Sequence, residues 1–178
     1  ANIGLVSAIQ AVENTGGHQH DDGRRPHGTI SPIMGITDGN GDANFTYTAG
    51  GIGGQERIII SAPELSGEYG DAVVLVSVPG LARLGPGLDY RLSGETQTHP
   101  SNHYGAQTLL QEIRDIASAY SNAYEALVYV NDMSLINGGL FDHRSTWIPP
   151  HALHKNGVSV DFGRWQYLIS SRVTQRAT

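Results

Sequence analysis

The spacing of hydrophobic residues changes near residue 80, and this change constrains the fold more than any other feature of the sequence. Before it, residues 3–78 contain short runs of β-forming residues separated by clusters of Gly, Asn and Asp. After it, hydrophobic residues recur at three- and four-residue intervals over residues 106–124, which predicts an amphipathic helix. A chain of 178 residues can form one core or two small ones, and the change of period favours two.

The first half is predicted to be antiparallel β-structure. Its four clearest strand-like runs cover residues 5–12, 43–48, 57–62 and 72–78. Strands at such spacing predict an immunoglobulin-like sandwich, a fold that needs about seven strands. We therefore expect the sandwich to be incomplete in this chain, with one or two strands lying upstream of Ala1.

The second half is predicted to be an α+β domain. Pro and Gly without periodicity occupy residues 79–87, which is typical of a linker. Beyond the helix, the apolar run 126–130 predicts a buried strand that ends at Asn131-Asp132. The predicted organisation is a β-domain at 1–80, a linker and domain entry at 81–98, and an α+β domain at 99–178.

Composition excludes several classes of partner. The net charge is -6, and the 11 Lys and Arg residues are scattered, so no basic surface for nucleic acid or anionic lipid is expected. No apolar run approaches the roughly 18 to 20 residues that span a bilayer. The chain has no Cys, which excludes disulfides and thiolate ligands and is compatible with export. Because the chain begins without Met, we expect that a signal peptide or a longer N-terminal part has been removed, and we predict an extracytoplasmic location.

A histidine and an aspartate near the C-terminus form the best candidate site. The Asn156-Gly157 pair predicts a two-residue hairpin turn between His154 and Asp161. In such a ribbon these two side chains are diagonal neighbours, about 7 to 8 Å apart at the backbone, and can converge on one metal ion. Val158 and Val160 would then point into the core. The alternative is a surface hairpin that carries a His and an Asp by chance.

A series of motifs in the second half resembles the metal-binding core of the penicillin-insensitive murein endopeptidases. More broadly, it resembles the superfamily of D-Ala-D-Ala carboxypeptidases, lysostaphin-type endopeptidases and the hedgehog signalling domain. The resemblance covers about residues 99–162. It rests on Asn131-Asp132-Met133-Ser134-Leu135, then Gly138-Gly139, then His151-x-x-His154-x-x-Gly157-x-x-x-Asp161-Phe162.

The resemblance implies a zinc site and an activity. It implies that His154 and Asp161 are two of three protein ligands of one zinc, and that His151 lines the same site. The implied protein is a zinc-dependent peptidase that acts on peptidoglycan cross-links or related peptides. Two other readings stay open: an extracellular adhesion or ligand-binding protein with a degenerate peptidase-like domain, and a non-functional gene fragment.

The sequence departs from the family pattern at the C-terminus. In the family a later His-x-His pair supplies the remaining ligand and the catalytic base, whereas the 17 residues after Asp161 contain no His, Glu or Cys. The catalytic base is therefore unknown. The interpretation we favour is a copy shortened at its C-terminus. Alternatively, His99, His103 or His143 completes the site, or the domain is a non-catalytic relic.

Several other residues have both a functional and a structural interpretation. Asp132 either orients a ligand imidazole or accepts loop amides at the end of a strand. His103 either lines the site or packs near the start of the helix. Gly138 and Gly139 permit close approach of a substrate backbone, and turn geometry alone would also explain them. His18, His20 and His27 form either a metal-binding tract or an exposed loop.

Overall fold

The computed structural model describes residues 2–12, 27–96, 101–140 and 153–163. In these ranges the chain forms one α-helix and ten strands, most of them short. The helix is α1 (Gln107–Tyr124), and the strands are β1 (Gly4–Ala11), β2 (Thr29–Ser31), β3 (Met34–Ile36), β4 (Thr46–Thr48), β5 (Gly54–Ala62), β6 (Gly67–Val76), β7 (Leu81–Arg83), β8 (Tyr90–Leu92), β9 (Tyr104–Ala106) and β10 (Val128–Val130).

The first half is built around a four-stranded antiparallel sheet in the order β3-β1-β5-β6. Each strand-like run predicted from the sequence contains an observed strand. A 3₁₀ helix, Pro63–Leu65, connects β5 to β6 and ends at Ser66 in the left-handed conformation. The two short strands β2 and β4 pair with each other as a separate ribbon.

The two faces of this sheet differ sharply in burial. Cross-strand pairing places Ser7 and Glu56 on one face, the inner face, and both are buried. The opposite, outer face carries large apolar side chains that are mostly exposed to solvent: Met34, Ile36, Val73 and Leu75. In a sandwich a second sheet would cover such a face. Among the described residues no second sheet does so.

The predicted fold class, an immunoglobulin-like sandwich followed by a separate α+β domain, is therefore wrong. The sandwich is not closed, and the two halves share backbone hydrogen bonds. The N–H of Leu140 donates to the carbonyl of Gly51, and that of Val78 donates to the carbonyl of Asn137. The described residues show mixed α and β content without a clear division into two domains. The periodicity that predicted the strands is local, and it cannot report which faces become covered.

The second half contains the main apolar core. Helix α1 confirms the predicted helix, and β10 confirms the strand after it. The helix ends at Tyr124, and the following residue, Glu125, is left-handed and donates its N–H to the carbonyl of Ser121. The helix is not long and apolar enough to cross a membrane. Beside it, β10 pairs in parallel with β8, and β7 pairs with β9. The buried residues of this core are Leu84, Tyr90, Leu110, Ile113, Ala117, Val128, Val130 and Met133.

Candidate functional site

His154 lies on a short turn and not on a hairpin. Residues His154–Asn156 form a 3₁₀ helix that ends at Gly157, where φ is +66°. The carbonyl of Gly157 accepts a hydrogen bond from the N–H of Ala106, which belongs to another segment of the chain. The predicted hairpin is thus wrong, because the turn bonds to distant residues and not to a partner strand of its own. Residues 153–157 are called the His154 turn below.

Val158 and Val160 follow the turn and were both predicted to point into the core, but only Val160 does so. Val158 is 66% exposed, so the prediction that it points into the core is wrong. Val160 packs against the core around α1, as predicted. The segment between His154 and Asp161 is therefore fixed near its end, next to Asp161.

Asp161 is held by the chain that leaves β10. The N–H of Asn131 donates to the carbonyl of Asp161 at 2.7 Å, and the N–H of Asp161 donates to the carbonyl of Asp132 at 2.8 Å. Phe162 forms an isolated bridge with Val130. These contacts attach the backbone of Asp161 to the end of the core strand β10, which fixes the position from which its side chain extends.

His154 and Asp161 approach each other in the folded chain. His154 Nε2 lies 3.4 Å from Asp161 Oδ1. The His154 side chain is only 3% exposed, whereas that of Asp161 is 51% exposed. The imidazole is therefore fixed within the protein while the carboxylate faces solvent, so the pair is accessible from one side.

The separation of these two atoms suits a shared zinc ion. Ligand nitrogen and oxygen atoms at about 2.0 to 2.1 Å from a tetrahedral zinc are about 3.3 Å apart. The observed 3.4 Å matches this edge of the tetrahedron. In the ranges that the structure describes, however, no group of three or more His, Cys, Asp or Glu residues is placed to hold a metal ion. The 3.4 Å contact is that of an ion pair and is also compatible with two ligand positions, and the described residues supply no third ligand.

Asp132 belongs to a polar network beside Asp161. Its Oδ1 accepts a hydrogen bond from Asn102 Nδ2, and its Oδ2 accepts one from Asn131 Nδ2, each at 2.9 Å. Asn102 is fully buried. Sequence reasoning did not find Asn102, because a single polar residue ahead of a helix carries no signal of what it will contact. The orienting role predicted for Asp132 stays a prediction.

His103 lies inside the second half, directly before β9. Its side chain is fully buried, with Nε2 3.3 Å from the carbonyl oxygen of Val130 and Nδ1 3.2 Å from Glu95 Oε1. Both ring nitrogens therefore face protein acceptors. This placement agrees with packing ahead of the helix, and His103 is absent from any metal-binding group in the described ranges.

The remaining candidate histidines are mostly outside the described residues. This holds for His151, which was predicted to line the site, and for His18, His20, His99 and His143. His27 is described: it is exposed, and its Nδ1 lies 2.6 Å from the carbonyl oxygen of Gly28.

Comparison of the chain with models of known protein families, with curated proteins and with solved structures found no match.

Proposed function

We propose that this chain is an exported zinc-dependent peptidase-like protein that acts on cell-wall peptide cross-links or on related peptides. The observation that carries the proposal is the approach of His154 Nε2 to Asp161 Oδ1 at the spacing of two zinc ligands. The motif resemblance supplies the reaction class and the substrate class, since no described residue reads a peptide or a glycan directly.

The two residues have different tasks in this proposal. His154 would hold the metal from within the protein, because its ring is almost completely buried. Asp161 would hold it from the solvent side, where a peptide can approach. When bound, zinc polarises an amide carbonyl and lowers the pKa of water toward 7. Asp132, Asn102 and Asn131 would keep the Asp161 backbone in place through their hydrogen bonds.

A metal measurement tests the site. The chain is dialysed against zinc-containing and then zinc-free buffer, and its metal content is measured beside His154→Ala and Asp161→Ala. We expect about one zinc per chain in the wild type and a loss of affinity of at least about 100-fold in both variants. The matched control is His27→Ala, which removes an exposed histidine far from the pair in sequence.

The control also separates two metal sites. If zinc is lost in His27→Ala and kept in His154→Ala, the metal site is to be assigned to the tract that contains His18, His20 and His27. A wild-type chain that binds no zinc would overturn the proposed metal centre.

A second candidate function is a ligand-binding protein with a degenerate peptidase-like part. It is favoured by one observation, the presence of only two donors among the described residues. Incubation with purified peptidoglycan separates the candidates. Release of soluble peptides, abolished in His154→Ala, supports the peptidase, whereas co-sedimentation without release supports the binding protein.

A further inference from the structure

A pair of glycines supports the turn that carries His154. The N–H of Gly139 donates to the carbonyl of Lys155 at 2.9 Å, and Lys155 directly follows His154. Gly138 and Gly139 have φ values of +69° and +77°, a region in which other residues are strained. This glycine pair therefore presents an amide to the His154 turn in a geometry that glycine alone adopts easily.

The first half of the chain forms backbone hydrogen bonds on both sides of the same glycine pair. Ile52 forms an antiparallel bridge with Gly139, and the carbonyl of Gly51 accepts a hydrogen bond from Leu140 at 2.8 Å. Val78 donates its N–H to the carbonyl of Asn137 at 2.9 Å. The loop at residues 51–53 and the end of the strand region near Val78 thus hold the chain on both sides of the pair.

Packing at this contact leaves no space for a side chain. A Cβ on Gly139 would lie 2.6 Å from the backbone nitrogen of Gly53 and 2.9 Å from the carbonyl oxygen of Gly51. A Cβ on Gly138 would lie 2.5 Å from Val78 Cγ2 and 2.9 Å from the carbonyl oxygen of Lys155. Since close-packed contacts transmit displacement, a shift of the 51–53 loop would move the glycine pair and the His154 turn with it.

The other end of the His154 turn rests on the second half. Gly157 accepts a hydrogen bond from Ala106 at 2.8 Å, and a Cβ on Gly157 would overlap Leu81. The turn is therefore held at Gly157 by Ala106, which directly precedes α1, and at Lys155 by Gly139.

From these contacts we propose that Gly139, supported by the 51–53 loop of the first half, is a positioning residue for His154. The first half is then part of the support of the candidate metal centre and not a separable spacer. The significance for metal binding rests on the proposed function, but the positioning itself concerns only the His154 ring and can be measured without metal.

The test compares Gly139→Ala with Gly80→Ala. Both glycines have a positive φ, +77° and +75°, so alanine is strained at both, but a Cβ on Gly80 meets no atom within 4 Å. The difference between the two variants therefore isolates the contact with the 51–53 loop. The readouts are the ring ¹H–¹³C signal of His154, assigned by its loss in His154→Ala, and the zinc affinity of each variant.

We expect Gly139→Ala to shift the His154 ring signal and to weaken zinc binding by about 10- to 100-fold, the size typical of outer-sphere changes at metal sites. Gly80→Ala should leave both unchanged. Should Gly139→Ala fail to fold, Val78→Ala provides the second test, because it removes Cγ2, the side-chain atom that lies nearest to the Cβ position of Gly138. It should shift the same signal in a folded protein.

The outcomes distinguish this inference from the proposed function. An unchanged His154 signal in a folded Gly139→Ala or Val78→Ala variant overturns the positioning role, whether or not zinc binds. A shifted signal in a chain that binds no zinc supports the positioning role and overturns the proposed metal centre instead.

Discussion

The four-stranded sheet of the first half and the core around α1 bury their residues in different ways. The sheet covers one face, which includes the buried carboxylate of Glu56, and exposes the apolar outer face. The core around α1 buries one face of the helix together with Val128 and Val130 of β10. The four-stranded sheet shows that regular strand patterning does not ensure a closed apolar core. The difference in burial also predicts that the two regions derive their stability from different interactions.

The largest expected effect comes from one chemical change made in both regions. Ile113 on α1 is 1% exposed, and Ile36 on the outer face is 68% exposed. Ile113→Ala should lower the free energy of unfolding by about 3 kcal/mol, because it leaves a cavity. Ile36→Ala should change it by less than about 0.5 kcal/mol. Urea unfolding followed by circular dichroism measures both. Equal losses would mean that the outer face is covered in solution.

The next largest effect on stability is expected from the buried carboxylate of Glu56. Glu56 Oε2 accepts hydrogen bonds from the N–H of Gly28 at 2.9 Å and from the hydroxyl of Tyr47 at 2.8 Å. Glu56→Ala should lower the free energy of unfolding by about 2 kcal/mol, because both donors lose their acceptor. The control is Glu64→Ala, which removes an exposed glutamate from the connection between β5 and β6. Similar urea midpoints for the two variants would refute a stabilising role for the carboxylate.

A smaller effect is expected from the polar network of the second half. Asn102→Ala removes the side chain whose Nδ2 donates to Asp132. Because one hydrogen bond to a carboxylate is lost, we expect the free energy of unfolding to fall by about 1.5 kcal/mol. Asn40→Ala, at an exposed position, serves as the control. A loss as large as that of Ile113→Ala would show that polar contacts matter as much as apolar packing in this core.

The smallest expected effect is a pH dependence in the first half. The backbone N–H groups of Asp42 and Asn40 donate to the exposed carboxylate of Asp38 and lower its pKa. The carboxylate therefore contributes stability above its unfolded pKa of about 3.9, and this contribution is lost as pH falls through the lowered folded pKa. Urea midpoints of the wild type should fall relative to those of Asp38→Asn between pH 5 and pH 2. A constant difference across that range would contradict the assignment.

Local patterns account for the elements that could be predicted. The helical spacing of Leu110, Ile113 and Ala117 predicted α1, and all three are buried against the core. The strand-like runs predicted β1, β5 and β6 because alternation is a property of the strand backbone itself. The parallel pairing of β8 with β10 had no such signal, because its partners Tyr90 and Val128 are far apart in the sequence.

The candidate site shows the same division. The spacing of His154 and Asp161 predicted that they approach, and their atoms are 3.4 Å apart. The backbone structure that brings them together is not the predicted one, because Asn156-Gly157 forms the end of a 3₁₀ turn and not a hairpin. A local turn preference of this kind is weak, and the hydrogen bonds of the His154 turn to Gly139 and Ala106 override it.

The sequence by itself determined helix α1 and the strands β1, β4, β5, β6 and β10, and it predicted that His154 and Asp161 approach each other. Only the tertiary structure decided that the outer face stays open, that Asp161 is attached to the end of β10, and that the glycine pair links the first half to the His154 turn. The physical reason is the separation along the chain over which each interaction acts. Periodicity and turn chemistry act over a few neighbouring residues, whereas coverage of a face and support of a turn depend on contacts between segments that are distant along the chain.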